Sequence, residues 1–294
     1  MAQYSCLAKE TSKRYCSFKV ISTGQIVVFT DVDGTLLDKT YDAMASHPAI
    51  TTLQQKHIPI ILCSAKTSSE LQLWRKRFGI CDPFVVENGA AVMIPEEYFP
   101  FSVPGLNTID RYILVELGKN ILSFRSKLLQ SLESSGIGYQ LFTDMSVEEI
   151  VQESGLPIDE AKLARNRQYT ETVKLEGDKE TMEKTAKMIV SSGLDCSFGG
   201  RHLIVGQGTS KGKGVSLLRG LYQRYLGKIT TCAFGDAEND LSMFKQVDRP
   251  FLVQRLNGHY ADIFLPGLIK IDSPGPSGFA KGVNVMLDPS GQNL

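Results

Sequence analysis

Two aspartates two residues apart, Asp31 and Asp33, end an apolar run and lead into Gly34 and Thr35. In an extended segment residues i and i+2 project to the same side, so both carboxylates can face one ligand. Adjacent carboxylates repel unless a cation or an acid/base task keeps them together, although Asp-Gly is also good turn chemistry. A second acidic group, Gly235-Asp236-Ala237-Glu238-Asn239-Asp240, offers the hard oxygens that Mg²⁺ takes; a polar loop before a helix would read the same way. Ser64, in Cys63-Ser64-Ala65-Lys66-Thr67, has a hydroxyl that can bond a phosphate oxygen or cap the next helix. Lys211, in Ser210-Lys211-Gly212-Lys213-Gly214, can neutralise phosphate charge or sit in solvent. The glycines around Lys211 miss the spacing of a P-loop, and Gly34 falls too early for a calcium-binding EF-hand loop. Together these groups suit phosphoryl transfer: a phosphomonoester repels a carboxylate nucleophile, so a divalent cation and a lysine must offset the charge.

The elements that position these residues follow from hydrophobic pattern. Ile26 to Thr30 and Ile58 to Cys63 are short apolar runs rich in β-branched residues, as in strands covered on both faces. Pro48 to Lys56 and Ser68 to Phe78 read as helices, and Phe84 to Glu87 as a third strand ending in the turn Asn88-Gly89. Strands alternating with helices predict a parallel sheet, whose ligands sit beyond the carboxyl ends of the strands, where Asp31 and Ser64 fall. From about Pro104 the texture becomes α+β: a strand at Tyr112 to Glu116, a helix to Leu132, a strand near Tyr139 to Phe142, and two helical stretches ending near Asn166. A strand at Tyr169 to Leu175, a helix at Lys179 to Ser191, and strands around Cys196 and Leu203 complete that block. The first texture then returns, with a helix at Lys211 to Tyr225, a buried strand at Ile229 to Phe234, a short helix at Leu241 to Lys245 and a strand at Pro250 to Gln254. The expectation is an α/β core, residues 25–105 and 206–294, interrupted by an inserted domain over 106–205.

Composition bounds the partners. The 294 residues are 42% hydrophobic and 22% charged with a mean hydropathy of -0.09, an ordinary globular composition that excludes a disulfide-stapled miniprotein or a fibrous repeat. Thirty-two basic against thirty-two acidic residues, with no basic block, argue against nucleic acid. The apolar stretch around Ile58 to Cys63 is far short of the roughly 20 residues a membrane span needs. Six cysteines without a Cys-x-x-Cys pair suit a reducing, cytoplasmic setting. Residues 1–24, with Lys9, Lys13, Arg14 and Lys19 among many Ser and Thr, read as a disordered leader, with a faint likeness to an organelle transit peptide. Nothing in the sequence sets an oligomeric state.

The four polar segments, in order and placement, resemble the haloacid dehalogenase-like phosphohydrolase superfamily, whose pattern is Asp-x-Asp-Gly-Thr, Ser/Thr, Lys and Gly-Asp-x-x-Asn-Asp. The resemblance implies a Rossmann-like core with a C2-type cap inserted between the Ser64 and Lys211 segments. It implies that Asp31 is the nucleophile and Asp33 the general acid/base, while Ser64 and Lys211 hold the transferring phosphoryl oxygens. Mg²⁺ would be bound by Asp31, the backbone carbonyl of Asp33 and Asp236, with Asn239 and Asp240 in support.

Leu62 to Thr67, Val86-Glu87-Asn88-Gly89-Ala90, Arg167-Gln168-Tyr169-Thr170-Glu171, Phe198-Gly199-Gly200-Arg201 and Pro250 to Gln254 narrow the likeness further. They are similar to the mannosyl-3-phosphoglycerate phosphatase family, although Thr172 stands where that family usually has proline. This implies a phosphosugar substrate whose cleft is lined by Glu87, Asn88, Gly89, Arg167, Glu171 and Arg201; from the residues alone, each arginine fits a surface salt bridge equally well. Other phosphosugar phosphatases, the glucosyl counterpart and phosphomutases share the pattern, and a sugar-phosphate sensor is the alternative without catalysis.

Overall fold

The computed structural model describes residues 25–103, 105, 107–199 and 202–288; the expected leader over residues 1–24 and the candidate Arg201 lie outside them. In chain order the first part comprises β1 (Gln25–Thr30), α1 (His47–Gln55), β2 (Ile60–Cys63), α2 (Ser68–Phe78), β3 (Phe84–Val86), β4 (Ala91–Pro95), β5 (Asn107–Ile109) and β6 (Tyr112–Glu116). The middle comprises α3 (Arg125–Ser135), β7 (Gly138–Leu141), α4 (Val147–Ser154), α5 (Ile158–Arg165), β8 (Thr170–Glu176), α6 (Lys179–Ser191), β9 (Asp195–Gly199) and β10 (His202–Gly206). The last part comprises α7 (Lys211–Leu226), β11 (Ile229–Gly235), α8 (Leu241–Phe244), β12 (Arg249–Gln254), β13 (Ile269–Pro274) and α9 (Gly275–Leu287).

Nine strands form one sheet in the order β13-β12-β11-β1-β2-β3-β4-β6-β5, parallel from β13 to β3 and antiparallel beyond. The two-residue period of a strand explains why its central members are apolar throughout. Val28 packs with α1, α2 and α9 on one face, while Val27 and Phe29 pack with α7 and α8 on the other. Helix α2 has the strongest local reasons to form: Thr67 and Glu70 make a reciprocal capping box, and Gly79 ends the helix in the left-handed conformation.

Strands β5 and β6 hydrogen-bond into the large sheet although they lie past residue 105, where the texture of the sequence changes. The reason is that these strands are antiparallel and half-exposed, a pattern that looks alike at the edge of a core sheet or in a separate block. The inserted unit has its own antiparallel sheet, β7-β8-β10-β9, with α3 and α6 packed on it around Phe124, Leu128, Leu132 and Ile189. Its other helices, α4 and α5, gather Ile150, Ala161 and Ala164 into a cluster on which Tyr41 of the core also packs. Among the described residues no helix is long and apolar enough to cross a membrane, and Cys63, Cys196 and Cys232 are free thiols.

Candidate active site

Backbone pairing brings the first and last polar segments together. Beyond β1 the Asp31 N–H donates to Phe234 O at 2.9 Å, continuing the ladder with β11 and setting Asp31 beside the Gly235–Asp236 turn. The chain then turns sharply, with the N–H groups of Leu36 and Leu37 donating to Val32 O at 2.8 and 2.9 Å. Gly34 sits in this turn with φ +82°, and a Cβ there would collide with the Asp236 carboxylate, so the close approach of the two segments requires glycine.

Lys211, the first residue of α7, is buried with its Nζ 2.5 Å from Asp31 Oδ1 and 2.7 Å from Asp240 Oδ1. Asp240 Oδ2 accepts from the N–H groups of Asp236 and Ala237, both at 3.1 Å, so Asp240 holds the lysine and the turn at once. One oxygen each of Asp31, Asp236 and Asp240 lie within 4.8 Å of one another. Three buried carboxylates against one ammonium leave an excess of negative charge. Burial, reinforced by Asp240 and Asp33, pushes the Asp31 carboxyl up to about 7 against the pull of Lys211. Burial, then Asp31 and Asp240, raise Asp236 as well. Burial works against the Lys211 charge, but Asp240 and Asp31 outweigh it and keep the ammonium protonated.

An all-oxygen set with surplus negative charge fits a hard divalent cation. The side-chain oxygen Oδ1 of Asn239 is buried without a hydrogen-bond partner, a further acceptor waiting on a donor or cation. The Asp33 carboxylate is not part of this cluster: its side chain is 47% exposed and lies 3.0 Å from Lys66 Nζ.

Ser64 stands at the carboxyl end of β2, next to β1 in the sheet, and its N–H donates to Val85 O at 3.1 Å. Its Oγ accepts from Lys66 N at 3.2 Å, while the true N-cap of α2 is Thr67.

The candidate cleft residues separate into two groups. Glu87, buried and at φ +47°, accepts from the N–H groups of Gln168, Tyr169 and Thr170 at 3.0, 3.0 and 2.7 Å, and from Thr170 Oγ1 at 2.8 Å. It fastens the cap to the core, and its oxygens are not presented to a cleft. Glu171 is wholly buried against Thr143 Oγ1 (2.5 Å), Thr143 N (3.3 Å) and Arg125 Nη1 (3.2 Å), and burial raises its carboxyl. Gly89, at φ +85°, lies so close to the Ser210 carbonyl that no Cβ fits. In this structure Glu87, Glu171 and Gly89 are each engaged in contacts within the fold.

Asn88 and Arg167 differ from them. Asn88 donates to Ser197 Oγ of β9 at 3.2 Å while its own Oδ1 is buried and unpartnered. Arg167 donates from Nη1 and Nη2 to Ala65 O, both at 3.2 Å, and from Nη1 to Thr170 Oγ1 at 2.7 Å, yet its Nε is buried without a partner. A guanidinium with an unpaired Nε edge suits a bidentate carboxylate. A cavity of 720 Å³ between core and cap is lined by Asn88, Ser197, Thr209, Lys211, Lys213 and Asn239 among others. Lys66 and Ser197 were not singled out from the sequence. A buried lysine carries no local signal, and Ser197 matters only because β9 faces the Asn88 turn.

A sequence profile of haloacid dehalogenase-like hydrolases matches residues 28–257. The chain is 35% identical over 269 residues to a Methanococcoides burtonii protein named glucosyl-3-phosphoglycerate/mannosyl-3-phosphoglycerate phosphatase, covering 91% of this chain and 98% of that one. It is 36% identical over 236 residues to the mannosyl-3-phosphoglycerate phosphatase of Pyrococcus furiosus, covering 80% and 94% of the two chains. In structure it resembles a phosphatase of the haloalkanoate superfamily from Bacteroides thetaiotaomicron with a TM-score of 0.61 at 19% identity, covering 89% of this chain and 94% of the other. That last likeness concerns the fold.

Proposed function

The chain belongs to the haloacid dehalogenase-like hydrolase family, and on that footing we propose that it hydrolyses the phosphomonoester of mannosyl-3-phosphoglycerate, with Mg²⁺ as its metal. The observation that carries this reading is the buried cluster of Asp31, Lys211, Asp236 and Asp240, with the unpartnered Arg167 Nε as a further donor.

Asp31 attacks phosphorus, and the bond to the glycerate oxygen breaks as Asp33 gives that oxygen a proton. Mannosylglycerate leaves with that proton; Asp33 then takes a proton from water, which attacks the aspartyl-phosphate, breaks its P–O bond and frees phosphate and the Asp31 carboxylate. Lys211 and the Ser64 hydroxyl hold the transferring phosphoryl oxygens. Asp240 keeps Lys211 and the Asp236 turn in place. Asp31 and Asp236 with the Asp33 carbonyl would hold Mg²⁺, which supplies positive charge to the phosphoryl oxygens, and Asn239 supports that site. Arg167 binds the glycerate carboxylate, Asn88 accepts from a sugar hydroxyl, and Arg201 remains a second candidate for the carboxylate. A glucosyl substrate is the second reading, favoured by the double name of the Methanococcoides relative.

The test is phosphate release from mannosyl- and glucosyl-3-phosphoglycerate, mannose 6-phosphate and glucose 6-phosphate. The glycerate-bearing compounds should lead by about 100-fold in kcat/KM, roughly 2.7 kcal/mol, within the reach of one charge-assisted bidentate pair with sugar contacts. Equal turnover of all four would overturn the assignment.

A further inference from the structure

Lys66 takes no part in the steps above, yet it is placed with unusual care. Its side chain is 8% exposed, and its Nζ lies 3.0 Å from Asp33 Oδ1, 3.6 Å from Glu70 Oε1 and 5.1 Å from the centre of the Tyr41 ring. A lysine is seldom buried unless paired, and here Glu70 and the Tyr41 ring also hold the ammonium. Glu70 is itself fixed, because its other oxygen accepts from Thr67 N at 2.8 Å in the α2 capping box. Asp33 is the contrary case, with a half-exposed side chain for which several staggered rotamers would otherwise be open. The cap also grips both neighbours of Lys66: Arg167 donates to Ala65 O at 3.2 Å, and Thr67 Oγ1 donates to Leu163 O at 3.0 Å.

We propose that Lys66 is a positioning residue that holds the Asp33 carboxyl where it can pass a proton to the leaving oxygen and take one from water. This rests on the reading of Asp33 as the acid/base. Fixing one rotamer of a proton donor raises the fraction of complexes ready to react, so the effect belongs to kcat and not to substrate binding.

The experiment compares Lys66→Met, Lys66→Arg, Glu70→Gln and Asp33→Asn on mannosyl-3-phosphoglycerate and on p-nitrophenyl phosphate. Stopped flow reads the first turnover of the aryl ester. A nitrophenolate leaves without a proton, so phosphorylation of Asp31 by that substrate does not need Asp33 in place, whereas release of a glycerate alkoxide does. Lys66→Met is expected to lower kcat on the glycosyl substrate by about 100-fold, in the range of general acid/base effects. Its KM and its nitrophenol burst rate should stay within about threefold of wild type. Lys66→Arg keeps the charge and should recover at least about tenfold of the loss.

Glu70→Gln retains the cap on Thr67 through its amide oxygen and withdraws only the charge from Lys66. It should lower the same kcat several-fold, and it carries the test if Lys66→Met does not fold. A nitrophenol burst slowed as much as the glycosyl kcat, a change in KM alone, or wild-type kcat in Lys66→Met (or in Glu70→Gln, should that be the folded variant) would overturn the proposal. Full glycosyl turnover by Asp33→Asn would overturn the acid/base reading itself, whereas loss there with none in Lys66→Met removes the role of Lys66 alone.

Discussion

At the scale of single residues, the site is built from side chains that each do more than one thing. Asp31 is at once a nucleophile candidate, a partner of Lys211 and one of three clustered carboxylates. Asp31→Asn should therefore abolish turnover by at least about 1,000-fold while the protein stays folded, since the amide retains the shape and leaves the Lys211–Asp240 pair intact. Steady-state rates with circular dichroism as the control check this, and activity within about tenfold of wild type would contradict it.

A buried acid outside the site gives a pH signature. Asp82 accepts from Ile60 N at 2.8 Å and from Tyr98 Oη at 2.6 Å, and burial raises its carboxyl above the usual range despite those donors and Arg75. A carboxyl raised in the folded state adds stability that is fully present below its unfolded pKa and is lost as pH rises through the folded value. Asp82→Asn, always neutral, lacks that dependence. Wild type should thus gain in urea midpoint relative to the variant on going from about pH 7 to about pH 4.5, and a constant difference would refute the assignment.

At the scale of elements, the turn after β3 is where cap and core are joined. One carboxylate, Glu87, satisfies three successive N–H groups that lead into β8. Charge-assisted bonds of this kind, once broken in a buried place, cost about 1–3 kcal/mol. Glu87→Gln would set an amide NH₂ against donors, so hydrogen exchange at Gln168, Tyr169 and Thr170 should accelerate by at least about tenfold while exchange in β1 and β11 is unchanged. Unaltered protection at those three amides would show that Glu87 does not clasp the cap.

Legibility differs among elements for the same kind of reason. Helices α2 and α6 could be read from the sequence because caps and periodicity are local. By contrast, α9 opens on Gly275-Pro276-Ser277-Gly278 and looks like a loop until its apolar residues are seen packed on β12 and β13. Strands β4 and β13 were likewise unread, the first because it follows the Asn88-Gly89 turn in an unexpected hairpin with β3. In the site, Asp31, Asp236, Asp240 and Lys211 were legible as segments at the ends of buried strands or the start of a helix. The structural use of Glu87 and Glu171 was not: the donors of Glu87 lie 81 to 83 residues away, and Arg125 lies 46 from Glu171.

At the scale of the whole molecule, a divalent cation and the fold should stabilise each other. A ligand that binds only the native state adds about 2.7 kcal/mol at 100 times its Kd, and the clustered carboxylates are assembled only there. Mg²⁺ should accordingly raise Tm in the wild type and lose most of that effect in Asp236→Ala, and chelation should abolish phosphatase activity until Mg²⁺ is returned. A thermal shift as large in Asp236→Ala as in wild type would place the cation elsewhere.

The position of β1 in the large sheet has a consequence for synthesis. It lies between β2, which follows it closely, and β11, which is made some two hundred residues later with the whole cap in between. A growing chain on the ribosome can pair β1 with β2 and complete the small sheet of the cap. It still carries Asp31 beside an open strand edge until β11, Lys211 and Asp240 have emerged. The nascent protein is therefore without the Asp31–Lys211–Asp240 cluster through most of translation, and an edge that native packing covers is exposed to chaperones, or to other chains, for all that time.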